Sequence, residues 1–177
     1  QFEEQGKKNA PLIGLTASPE RRTGDQRDQL NLAFDAIIDC ANIEELIEEG
    51  VLVKPIYRPH FVHDLNLANI DISSGDFPIE KLSNAIIRSS MIDYAIWSYK
   101  EERSKLAAAP ISAWFCADVS VAEATLSAIK KCGFEAAIVT AKTPIKERMK
   151  LLALHEDGEI EAIVSVGVLA EGWDNPN

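Results

Sequence analysis

Apolar residues are spaced along this chain in two ways. From Pro110 onward the spacing is regular. A run "ISAWFC" is followed by a stretch of helical length that opens at Ser120-Val-Ala-Glu123 and closes at Gly133. A second run, "FEAAIVT", leads into Thr143-Pro144 and another such stretch that closes near Gly158, and a third run, "IEAIVSV", follows. Short β-branched runs alternating with longer amphipathic stretches predict strand, helix, strand, helix, strand. Ser120 and Glu123 have capping-box spacing. Thr143 offers a hydroxyl just before a proline at a first helical position. This alternation predicts a parallel sheet with right-handed crossovers.

Before Pro110 the pattern is less even. Pro11 to Thr16, "PLIGLT", reads as a short buried strand, followed by the polar loop "ASPERRTGDQRD". Leu32 to Cys40 carry a second apolar piece. "NIEELIEEG" predicts a short helix, with Asn42 as its cap, Glu44 and Glu45 at its positive end and Gly50 as its stop. "VLVKPIYRPHFV" is apolar but broken by Pro55 and Pro59, so it is an edge strand or an extended connector. A domain boundary is placed there, dividing 1–57 from 58–177. "HDLNLANIDISSGDFP" reads as a long loop. Pro78 to about Lys105 reads as one or two helices, with Ile86, Ile87, Met91, Ile92, Ala95 and Ile96 at helical spacing.

Parallel strands share one direction, so their carboxyl ends share one edge, and open α/β sheets bind ligands outside that edge. Three loops leave it: Ala117-Asp118-Val119, Thr140 to Thr143, and Gly167 to Asp174. The loop Thr16-Ala17-Ser18 leaves the first predicted strand in the other domain, and these edges could line a common cleft. Thr140 and Thr143 supply hydroxyls, and helix amino termini supply N–H groups suited to phosphate. Gly172 permits close backbone approach, and Asp174 can accept hydrogen bonds from paired hydroxyls such as a ribose. None of these is a nucleophile with a base beside it, so binding and coupling fit better than covalent catalysis.

Composition narrows the class. With 177 residues, 46% of them hydrophobic and 26% charged, the chain suits one ordinary globular domain or two incomplete ones. No apolar run approaches the ~18 residues of a membrane span. The three cysteines, Cys40, Cys116 and Cys132, form no C-x-x-C pair. That pattern fits buried thiols in a reducing, cytoplasmic setting. A net charge of −10 argues against a broadly basic nucleic-acid surface. It leaves room for a narrow groove that holds phosphates through backbone N–H groups and a few side chains.

The motifs resemble those of a known family. "LIGLTASPERRTGD" looks like motif III of superfamily-two helicases. The stretch from "ISAWFC" to "VSVGVLAEGWDNPN" resembles motifs IV to V of the DEAD/DEAH-like helicases related to type III restriction subunits. "FDAIIDCANIEELIEEGVLVKPIYRP" resembles that family's passage between two RecA-like domains. The resemblance implies an α/β, RecA-like (P-loop NTPase-type) parallel sheet with flanking helices. Residues 1–57 would be the C-terminal part of a first RecA-like domain, and 58–177 most of a second. It implies an ATP-dependent helicase or translocase acting on DNA or RNA, with DNA favoured, and a possible nuclease or methylase subunit or domain as partner. It implies ATP and Mg²⁺ as cofactors, the metal ligands lying outside these residues. The 177 residues contain no G-x-x-x-x-G-K-[ST] phosphate loop. The chain is therefore expected to be an internal fragment spanning motif III to motif V, inactive by itself.

Carried over onto matching positions, Thr16, Ala17 and Ser18 would couple nucleotide state to interdomain contacts. Glu171, Gly172 and Asp174 would meet the nucleotide near its ribose. Cys116, Thr140, Ser165 and Val166 would lie toward the nucleic-acid strand. At Val166 many relatives carry a nucleic-acid-contacting threonine, so a backbone or Ser165 contact replaces it.

Plainer readings stand beside these. Cys116 reads as core, Thr143 as a helix cap, and His155-Glu156-Asp157 as solvated charge at a helix end. His60-x-x-His63 would point to opposite faces of a strand rather than form a metal pair. The acidic charge also suits a non-catalytic helicase-fold interaction scaffold. A Rossmann-like enzyme would need a G-x-G-x-x-G after a strand, and none is present.

Overall fold

A computed structural model describes residues 12–15, 34–36, 38, 41–68, 70–72, 77–106 and 110–169. The chain divides into two units, Gln1–Tyr57 and Arg58–Asn177.

In the first unit, helix α1 spans Ile43–Glu48. Asn42 closes its amino end reciprocally. The Asn42 side chain accepts the Glu45 N–H at 2.8 Å, and the Glu45 carboxylate accepts the Asn42 N–H at 3.1 Å. These bonds occupy two donors that a helix start leaves bare. Gly50 stops the helix with φ of 75°, a left-handed conformation that costs glycine nothing. Leu12 to Leu15 differ from the expected buried strand. They carry no strand, and Leu15 is 96% exposed. An apolar run becomes a strand only where a neighbour supplies a ladder, and no described residue pairs with this one. The Phe34 ring lies over Gly14, where a Cβ would meet ring carbon at 2.7 Å.

The second unit opens with 58–68, which holds neither helix nor strand. Helix α2 spans Ile79–Arg88 and helix α3 spans Met91–Arg103. Asp64 secures their junction by accepting the Ser90 N–H and the Ser90 hydroxyl, both at 2.8 Å. The predicted apolar stripe divides. Ile86 and Ile96 are buried, whereas Ile87 and Met91 stay exposed.

Strand β1 (Ser112–Phe115), helix α4 (Val119–Lys131), strand β2 (Ala136–Val139), helix α5 (Ile145–Glu156) and strand β3 (Ala162–Ser165) follow. All pairing is parallel and the sheet order is β1-β3-β2. The chain steps across to β2 and then back to β3, so crossovers of one hand require helices on opposite faces. The packing agrees. Ala122 and Ile129 of α4 and Ile96 of α3 bury Ala136, Ala162 and Val164 on one face. Leu151 and Leu152 of α5 pack against Val139 and Ile163 on the other. β3 is covered on both sides and all four of its residues are buried, as a central parallel strand requires.

Two caps differ from expectation. α4 is capped by Asp118, whose carboxylate accepts the Val121 N–H at 2.9 Å, and Ser120 donates its hydroxyl to that same carboxylate. The capping residue thus precedes Ser120 by two positions. A carboxylate in extended backbone before the first turn reaches the free N–H groups, which a hydroxyl already inside the turn does not. Thr143 makes no cap bond to α5; its oxygen accepts the Thr140 N–H instead.

His155 also differs from the expected solvated charge. It is 1% exposed, and its Nδ1 lies 2.7 Å from the Ile160 carbonyl. The chain turns back at Gly158, φ 78°, and brings that carbonyl over the helix end. A histidine on the inward face there is a buried partner, while Glu156 and Asp157 remain exposed.

Candidate functional site at the carboxyl edge of the sheet

The two edges of the sheet are built differently. Residues just ahead of the strands are clamped together. Arg103 grips Glu161 with two nitrogens, at 2.6 and 3.1 Å. The Tyr99 hydroxyl donates to Glu161 at 2.6 Å and lies 3.2 Å from the Pro110 carbonyl. Phe134 stacks edge-on against Tyr99 and carries the Arg103 guanidinium 5.1 Å above its ring. Pro110, Phe134 and Glu161 precede β1, β2 and β3. One helix, α3, thereby holds the amino ends of all three strands.

At the opposite edge the strands end level. Phe115 and Val139 both pair with Ser165, so Cys116, Val166 and Thr140 form the next row. The Cys116 N–H bonds the Ser165 carbonyl at 2.9 Å, and the Val166 N–H bonds the Val139 carbonyl at 3.2 Å. Neighbouring strands lie ~4.8 Å apart, so Cys116 and Thr140 flank Val166 within about 10 Å. Four residues expected near nucleic acid, Cys116, Thr140, Ser165 and Val166, thus gather on one edge.

Their side chains are not equivalent. Cys116 packs against the α4-side core and donates its thiol to Thr125 at 3.8 Å. Burial pushes this thiol up, and the nearby Asp118 charge adds to that. Val166 packs into the same core with its N–H already engaged. Ser165 is 1% exposed, and its hydroxyl finds no hydrogen-bond partner among the described residues. Thr140 is half-buried, and its oxygen accepts the Lys142 N–H at 3.2 Å.

The loop Thr140–Thr143 is knotted by its own hydroxyls. Thr143 Oγ1 accepts the Thr140 N–H at 3.0 Å, and the Thr143 N–H returns to the Thr140 carbonyl at 3.0 Å. Each threonine hydroxyl is used there as an acceptor, which leaves its proton free to donate. Two hydroxyl donors three residues apart suit the oxygens of an anion such as a phosphodiester. Arg148 holds this loop from α5, with Nη2 at 3.3 and 3.4 Å from the Thr140 and Thr143 carbonyls. The sequence reading missed Arg148. Its signal is a cation one turn inside a helix that starts at Thr-Pro, close enough to reach back to the carbonyls ahead of it. Asp118 borders the same edge. Partial burial raises its carboxyl, but the Val121 N–H and the Ser120 hydroxyl outweigh that and hold it below its ordinary value.

Thr16, Ala17, Ser18, Glu171, Gly172 and Asp174 lie outside the described residues. Among the described residues no group of three His, Cys, Asp or Glu side chains could hold a metal ion. His60 bonds Ser98 at 2.8 Å and meets Trp97 edge-on. No helix among the described residues is long and apolar enough to cross a membrane.

Sheet, crossovers and strand-end edge define an α/β protein whose three-stranded parallel sheet is flanked by helices, consistent with part of a RecA-like fold. No family model matches the chain. Relatives are found among known proteins. The chain is 25% identical over 169 residues to a "51.5 kDa protein" of a Lactococcus phage, covering 96% of this chain and 35% of that one. It is also 25% identical over 170 residues to the "Putative ATP-dependent helicase IRC3" of Saccharomyces cerevisiae, covering 94% of this chain and 24% of that one. This identity over most of the chain supports a helicase-like relationship. The chain spans about a third and a quarter of the lengths of these two relatives.

Proposed function

We propose that this chain belongs to an ATP-dependent, nucleic-acid-stimulated motor of the DEAD/DEAH-like type, with DNA the favoured track. In this reading the two units are parts of two RecA-like domains. ATP hydrolysis in such motors is mostly positioning and charge stabilisation, so binding groups rather than nucleophiles are needed. Glu171, Gly172 and Asp174 meet the nucleotide, and Thr16, Ala17 and Ser18 couple its state to movement. ATP brings Mg²⁺, whose ligands lie outside these 177 residues. Thr140 and Thr143 donate hydroxyl protons to the nucleic-acid backbone from a loop that Arg148 holds in shape.

The observation that carries this reading is the match to the yeast protein. It covers 94% of the chain. The test is ATP hydrolysis by the protein encoded by the whole reading frame, compared with its Asp174→Ala variant. Removing a ribose partner should lower kcat/KM by about tenfold or more, a loss of ~1.4 kcal/mol in transition-state binding, with the melting temperature unchanged. Equal turnover in the two proteins would remove Asp174 from the nucleotide site. Absence of any ATP hydrolysis by the parent would end the motor reading.

A further inference from the structure

A second surface of the Arg58–Asn177 unit has the makings of a binding site. A depression of about 360 Å³ lies between α2 and the segment ahead of it, lined by Asp64, Asn66, Ile70, Lys81, Asn84, Ala85 and Arg88. Its size is near the lower end of the ~300–1,000 Å³ of small-molecule clefts. The α2 residues recur at i, i+3, i+4 and i+7, so they share one face of the helix.

The hydrogen-bonding inventory of this depression is lopsided. Its carboxylate is already engaged, since both Asp64 oxygens accept from Ser90. Those Ser90 donors hold the Asp64 carboxyl below its ordinary value, against a smaller effect of burial. The Asn66 carbonyl oxygen is engaged too, accepting the Ala68 N–H at 3.0 Å. What remains is mostly donors: the Lys81 ammonium, the Arg88 guanidinium, the Asn66 amide nitrogen and one end of the Asn84 amide. Neither Lys81 nor Arg88 forms an ion pair among the described residues, where the cations that do are Arg58, Arg103 and Lys105. Two cations outside any ion pair share one helix face, so even with the ionised Asp64 the lining keeps a net charge of about +1 in a chain of net charge −10, and such an arrangement favours an anionic ligand rich in acceptors. Ile70 and Ala85 add apolar surface to the lining.

We propose that this depression seats one nucleoside phosphate unit. Lys81 and Arg88 pair with its phosphate oxygens, Asn66 and Asn84 bond its polar edges, and its ring lies over Ile70 and Ala85. The unit comes either from a single strand or from a free mononucleotide, and the shared chemistry is the same. The site shares no lining residue with the strand-end edge and does not depend on the motor reading.

The test is a heteronuclear NMR titration of the 177-residue chain with AMP, with a short oligothymidylate and with inorganic phosphate. Amide signals of Lys81 to Arg88 should move with AMP or with the oligonucleotide. A Lys81→Gln, Arg88→Gln double variant should weaken that ligand by about tenfold or more. A charge-keeping Lys81→Arg, Arg88→Lys variant should retain most of the affinity. Lys81 and Arg88 are both exposed, so circular dichroism should be the same in all three proteins. A response to AMP assigns the site to a free nucleotide, and a response to the oligonucleotide alone assigns it to a strand. No response to any ligand overturns the proposal, as does an equal response to inorganic phosphate or a response undiminished in the Gln variant. None of these readouts involves ATP turnover, so failure here leaves the motor reading standing, and the reverse.

Discussion

Tyr99 shows how one side chain can carry a measurable pH dependence. Burial and the bond to Glu161 push its phenol up to about 12, from an ordinary 10. The protonated phenol is the form that the fold stabilises. Its contribution is therefore fully present below pH 10 and is lost as pH rises through about 12. Urea unfolding of the wild-type chain should show the midpoint falling across that window, with Tyr99→Phe markedly flatter. Parallel losses in both proteins would mean that the phenol is not held as described. Groups other than Tyr99 are common to both proteins and cancel in the comparison. Glu161 gives the opposite sign. Burial raises its carboxyl, but Arg103 and Tyr99 outweigh that and lower it, so its contribution is lost as pH falls. Neither residue stood out in the sequence, because a clamp joining Tyr99, Arg103 and Glu161 spans 62 positions and has no local spacing.

At the scale of elements, the helix starts are where sequence and structure part most clearly. Ser120-x-x-Glu123 has capping-box spacing, yet Asp118 is the cap. Asp118→Ala should destabilise the chain by about 1 kcal/mol, the usual cost of losing an N-cap side chain, measured by denaturant unfolding. Ser120→Ala should cost less, because Ser120 only donates to the Asp118 carboxylate. Equal effects of the two would contradict the assignment. The alternation of strands and helices after Pro110 was legible because β-branched runs and capped stretches have local signatures. The strand order β1-β3-β2 was not, since a third parallel strand can add outside the pair or between its members with the same sequence pattern. The level row of Cys116, Val166 and Thr140 follows only from the register. Leu12 to Leu15 show the converse: the run has the right composition, but no described residue gives it a ladder and it forms no strand. His155 was misread because charge beside it in sequence says nothing about which way the helix faces.

At the scale of the whole molecule, the Arg58–Asn177 unit is rigidly tied at one end of its sheet and ends in turns at the other. α3 clamps the amino ends of the strands through Tyr99 and Arg103, and at the carboxyl ends the Thr140–Thr143 loop carries uncommitted hydroxyl protons. This division suits a lobe that holds its shape while its rim engages a ligand. We propose that this rim receives a nucleic-acid backbone in an ATP-driven protein. The most direct measurement is ATP hydrolysis by the protein of the whole reading frame as single-stranded DNA is added, for wild type and Thr140→Val. DNA should stimulate the wild type severalfold. The Thr140→Val variant should need about three- to tenfold more DNA for half-maximal stimulation, as expected for one lost hydrogen bond of ~0.5–1.5 kcal/mol, with DNA-free turnover unchanged. Turnover indifferent to both DNA and RNA, or a Thr140→Val curve superimposable on wild type, would contradict the account.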